Sequence, residues 1–126
     1  MKTSKEYDDL CRSVGVSLDS PGLTEVGLKR ADALHAVAIL RSAGLAILGG
    51  DVYLRSGGRV APSDGNSWYV NRQPGEHADA YLRRSWERAE SYIKMFPASL
   101  DSEPLFVIVT SNVAGIGGTG GDGADR

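Results

Sequence analysis

The chain is predicted to fold as a single α+β domain, a sheet of about three strands packed with two long helices and a short N-terminal helix. Three observations carry this reading. Residues 76–96 hold an apolar and aromatic stripe at three- and four-residue spacing, the pattern of a helix with one buried face. Residues 30–43 repeat that pattern on a smaller scale and run into Gly44. Residues 45–54, 67–72 and 105–110 are strand-length runs that alternate or are apolar throughout.

Length and composition set the frame. A chain of 126 residues suffices for one core without metal or disulfide staples, burying about two-thirds of its unfolded surface. With 41% hydrophobic and 24% charged residues the composition is that of a folded domain. A net charge of -2 argues against nucleic acid or an anionic membrane as the main target, while permitting a basic protein partner. The lone cysteine, Cys11, forms no internal disulfide, and no CxxC suggests zinc or redox work. The polar start, Met1 to Glu6, lacks the apolar run of a secretory signal. The longest apolar stretches are too short for a membrane span. A cytoplasmic location is the expectation.

Each element follows from its residues. Residues 4–13 make a short helix, with Tyr7, Leu10 and Cys11 on one side and Asp8, Asp9 and Arg12 outside. Residues 19–22, Asp-Ser-Pro-Gly, are turn chemistry. In the 30–43 helix, Leu34, Val37 and Ala38 share a face widened by Ala33, Ala36 and Leu40, with Gly44 as the C′ residue. The 45–54 strand places Ala46, Leu48, Gly50, Val52 and Leu54 on one face and Leu45, Ile47, Gly49, Asp51 and Tyr53 on the other. Both faces begin apolar, so that end is expected under a helix. Gly49 and Gly50 suggest a bulge or a close backbone approach. Gly, Pro, Ser and Asp mark residues 55–66 as a loop. In the 67–72 strand Trp68 and Val70 oppose Tyr69 and Asn71. The long helix carries Ala78, Tyr81, Leu82, Ser85, Trp86, Ala89, Tyr92, Ile93 and Phe96 inside, acid–base pairs outside, and stops at Pro97. Residues 105–110 read as an interior strand. The domain is expected to span 1–112, with a flexible glycine-rich tail over 113–126.

No residue pattern makes a convincing catalytic or cofactor site. Residues 115–120 match GxGxxG, but a dinucleotide site needs a following helix and an acidic residue about twenty positions on. Only six residues remain after Gly120. Asp51 sits at a strand position favoured by catalytic carboxylates, yet no titratable partner is indicated by spacing. Structural or interface duty suits it better. His35 and His77 form neither HxxxH nor HExxH, and zinc takes three or four ligands. Trp68 fits core packing better than an interface, while exposure stays open for Tyr53, Tyr69 and Asp51.

The segments Ala33-Leu34-His35-Ala36-Val37-Ala38-Ile39-Leu40, Ile47-Leu48-Gly49-Gly50-Asp51-Val52-Tyr53 and Asn66-Ser67-Trp68-Tyr69 resemble the immunity protein 40 family of bacterial polymorphic toxin systems. The likeness spans roughly residues 22–110 by order and type of elements. It implies an α+β domain that binds and blocks a cognate toxin protein, without enzymatic activity or cofactor. The matching positions point to Asp51, Tyr53 and Trp68 as residues of interest, and with Tyr69 these form the expected partner-binding set. The resemblance leaves the oligomeric state open between monomer and weak dimer. Two other readings stand beside it: a small ligand-binding domain or enzyme with a pocket near Asp51 and Tyr53, and a homo-oligomer joined through an uncovered strand edge.

Overall fold

The Ser4 hydroxyl accepts the backbone N–H of Tyr7 at 3.0 Å and starts helix α1, Lys5–Val14. The computed structural model that shows this describes residues 4–18 and 26–110. The expected 19–22 turn and the 113–126 tail, with its GxGxxG match, lie outside the described residues. After α1 come two short strands, β1 (Val16–Ser17) and β2 (Val26–Gly27), paired antiparallel. Two residues are too few for a sequence period to reveal. Helix α2 (Arg30–Ala43) follows, then β3 (Ile47–Ser56), β4 (Arg59–Tyr69), helix α3 (Ala78–Met95) and β5 (Glu103–Thr110).

Helix α2 ends as its sequence requires. Gly44 takes φ 72°, its N–H bonds Arg41 O, and the next N–H, of Leu45, reaches back to Leu40 O at 3.0 Å. Both bonds fill carbonyls that a helix end leaves open, and the left-handed residue between them suits glycine. Ala33, Ala36, Val37, Ile39 and Leu40 are the residues buried along α2. The inward face is therefore rotated from the one expected: Ile39 is inside and Ala38 is exposed.

The three long strands form an antiparallel sheet in the order β4-β3-β5. Two expectations change here. The supposed 55–66 loop is mostly strand: β3 turns at Gly57 and Gly58 and returns as β4. Glycine, proline and serine gave the segment loop composition, but cross-strand pairing overrides local propensity. The second change concerns β5, which flanks the sheet while β3 is central. Among the described residues its outer edge is paired only at Phe106, through two 2.8 Å hydrogen bonds with Leu28. Its second face is covered where Gly27 lets Leu18 and Leu105 close in; a methyl at Gly27 would lie 2.8 Å from Leu105 Cβ and 3.1 Å from Leu18 Cδ2. That cover explains why β5 is apolar on both faces.

The β3–β4 ladder is interrupted once. Asp51 pairs with Ser67 and Tyr53 with Pro62, so Val52 alone stands opposite Ser63, Asp64, Gly65 and Asn66. This excursion turns through Gly65 at φ 78°. A second shift falls between Ile47 and Gly49 on the β5 side, and Gly49 takes φ 155°. The bulge expected at the glycine pair is present.

The core lies between the sheet and the helices. Trp68, Val52, Phe106 and Ile108 meet Leu40, Ala89 and Ile93. Gly50 pairs with Trp68, and a Cβ on Gly50 would drive into the indole and into the Val107 carbonyl. Helix α3 holds the start of β3 by two bonds: the buried Ser85 hydroxyl accepts the N–H of Ile47 at 3.1 Å, and Trp86 Nε1–H donates to Leu45 O at 2.7 Å. Arg30, at the start of α2, donates to Ile93 O and Lys94 O at the end of α3, tying the helices antiparallel.

Two substitutions test this packing. Gly50→Ala is expected to lower unfolding free energy by about 2 kcal/mol or more, because the rigid indole and a backbone carbonyl both block the methyl. Ser85→Ala is expected to cost about 1–3 kcal/mol by leaving the Ile47 N–H buried without an acceptor. Urea unfolding of each variant measures both values.

Candidate protein-docking surface

Outward of this core the structure presents two surfaces, one on each side of edge strand β4. The first is the sheet face that α3 does not cover. Alternation along β3 puts Asp51 and Tyr53 there, opposite to Gly50 and Val52. Register adds Ser67 beside Asp51 and Tyr69 beside Gly49. Asp51 is exposed, Tyr53 is half-buried, and Tyr69 is 71% exposed. Three of the four expected contact residues thus share one face. The fourth does not: Trp68 is 2% exposed on the opposite face, within the core, so it supports the surface rather than forming it. Along the same face Arg55 and Glu103 form a cross-strand ion pair.

The second surface is a groove of about 650 Å³ between α3 and the β4 excursion. Its floor is aromatic. Trp68 stacks on Tyr92 with centroids 4.6 Å apart, Tyr92 meets Phe96 at 6.0 Å, and Phe96 meets Phe106 edge-on at 5.8 Å. This ladder runs from the sheet to the groove and fixes Tyr92 and Phe96 in place. Burial pushes the Tyr92 hydroxyl above its ordinary pKa, and the charge of Asp51 adds to the effect. Trp68 Nε1–H is buried with no acceptor among the described residues.

A polar clasp closes one end of α3. Arg84 grips Glu76 with two 2.8 Å bonds and donates a third to Asn71 O at 2.7 Å. Glu76 also accepts the Gln73 N–H at 3.0 Å, while Tyr81 donates its hydroxyl to Val70 O at 2.7 Å. The Arg84 guanidinium, then the Gln73 amide, hold the Glu76 carboxyl down at about 2.

The remaining candidates are dispersed. His35 and His77 are exposed, on α2 and at the start of α3. Burial pushes the Cys11 thiol up, toward the unreactive protonated form. Among the described residues no three of His, Cys, Asp and Glu gather as metal ligands, and no helix is long and apolar enough to cross a membrane. A second groove of about 630 Å³ lies near the β3–β4 turn, and neither groove is lined by Asp51 or Tyr53.

The sequence pattern of the immunity protein 40 family matches residues 17–110, from β1 to the end of β5. The chain belongs to the immunity protein 40 family. No curated protein and no solved structure gives a significant match. The family is one of immunity proteins in toxin systems, and the match covers both surfaces beside β4 while leaving α1 outside.

Sequence reasoning missed the groove. Met95 and Arg88 lie outside the apolar stripe of α3, and Asn66 was read as loop. One signal was available: Arg88 has no acidic residue three or four positions away, whereas Arg83 and Lys94 do.

The clasp makes a pH prediction. Glu76 has a folded pKa near 2 against an ordinary 4.5, so its stabilisation is complete above about 4.5 and lost as pH falls toward 2. Glu76→Gln should therefore lose less stability than the wild type across that window and be less stable at neutral pH. Thermal melts from pH 2 to 7 measure both slopes.

Proposed function

We propose that this chain neutralises a cognate bacterial toxin by non-covalent docking, using the β3–β4 part of the sheet face opposite α3, which carries Asp51, Tyr53 and Tyr69. The family match over residues 17–110 carries the toxin reading. The choice of face rests on exposure: Tyr69 offers a rigid aromatic side chain to solvent beside a carboxylate. Tyr and Trp are the side chains on which interfaces most often concentrate their binding energy. A standard protein–protein interface takes about 800 Å² per partner. Binding of this kind needs neither cofactor nor chemistry from the chain, and it takes place in the cytoplasm of the producing cell.

The experiment is co-expression with the product of the adjacent gene, followed by cell survival and sizing of the complex. Rescue that requires this chain, with a co-eluting complex, is the expected result. Replacing Asp51 and Tyr69 together by Ala should weaken the complex at least tenfold, about 1.4 kcal/mol, without shifting the melting temperature. A complex indifferent to that double variant would remove the sheet face from the interface.

A further inference from the structure

We propose that the groove between α3 and the β4 excursion is a second part of the toxin interface, taking an extended toxin segment that sets a carboxylate on Arg88 and an apolar side chain on Tyr92 and Phe96. This rests on the toxin reading above and adds a place and a chemistry to it.

Charge selects the carboxylate. Helix α3 has four cations, Arg83, Arg84, Arg88 and Lys94. Arg84 is held by Glu76, Lys94 lies 3.4 Å from Glu90, and Arg83 has Asp79 and Glu87 at helical spacing. Arg88 has Arg84, Ser85, Ser91 and Tyr92 at those spacings, and no bond or ion pair among the described residues. It is exposed and lines the groove. The other charged groups of the lining are Arg84, held by Glu76, and Glu87, at helical spacing from Arg83. The guanidinium of Arg88, left unmatched beside Tyr92 and Phe96, is complementary to a planar carboxylate that bonds it through two N–H groups.

The floor selects the apolar group. Tyr92 and Phe96 are already ordered by the stacking that reaches Trp68 and Phe106, so a ligand contacting them pays little to fix them. Met95, 81% exposed at the groove's edge, is the flexible and adaptable complement to that rigid floor. Asn66 and Ser91 line the same groove and supply hydrogen-bonding groups for an extended backbone. The groove and the Asp51–Tyr69 face flank one edge strand, and a partner that straddles β4 reaches both.

The test uses the full chain and the toxin domain encoded by the adjacent gene, with affinity read by biolayer interferometry. Arg88→Glu and Met95→Glu are each expected to weaken binding tenfold or more. Arg88→Lys should keep part of the affinity, Lys94→Glu should leave it unchanged, and the Arg88 effect should shrink as salt rises. All three positions, Arg88, Lys94 and Met95, are exposed, so melting temperatures should match the wild type. If Arg88→Glu and Met95→Glu bind as the wild type does while the Asp51/Tyr69 double variant does not, the groove proposal is overturned and the toxin reading stands. If the wild type itself does not bind, both fall. If the chain alone is a dimer that Met95→Glu splits, the occupant is a second copy and the proposal fails.

Discussion

Trp68 projects from an edge strand, yet it is 2% exposed, and the reason lies one strand away. Position 50 has no side chain, so the indole packs against the β3 backbone where any Cβ would collide with it. With the ring seated there, Tyr92 can stack on it at 4.6 Å, and the order of Tyr92, Phe96 and Phe106 follows. The position of the last turn of α3 over the sheet is thus set by the glycine–tryptophan contact. At the start of β3 the helix is set by Ser85 and Trp86, and at its own C-terminal end by Arg30.

Helix α3 consequently has two jobs on two sides. Ser85, Ala89 and Ile93 fill the core, and Tyr81 and Arg84 fasten the preceding segment. Among the described residues, the flank that carries Arg88, Ser91 and Met95 faces Asn66 of the β4 excursion across an open groove. That excursion exists because four residues of β4 stand opposite one of β3. With Pro62 in the same strand, it breaks the row of backbone groups that a second copy would need to extend the sheet. The edge is poorly suited to open-ended pairing, while side chains on both of its sides remain available.

Much of the proposed docking surface follows from the alternation of β3. Asp51 and Tyr53 face away from the core because Gly50 and Val52 face into it, and that parity was legible in the residues. The groove was not legible. Its members come from β4 and from α3, separated by many residues, and Met95 and Arg88 carry no periodic signal of their own. The strand character of 59–66 was hidden for a related reason. Composition reports local preference, whereas pairing with β3 decides the conformation.

By itself the sequence determined the α+β class, the span of α2 with its Gly44 stop, the long amphipathic α3, and the close approach at Gly49–Gly50. These depend on spacing of 2.0 or 3.6 residues and on the conformational freedom of glycine, which are local properties. Only the tertiary structure decided that β3 is central, that Leu28 and Leu18 cover β5, that Trp68 is internal while Tyr69 is external, and that α3 and β4 enclose a groove. Those outcomes depend on which distant segments meet, and the free energy that settles them is released only when the apolar faces of strands and helices close on one another.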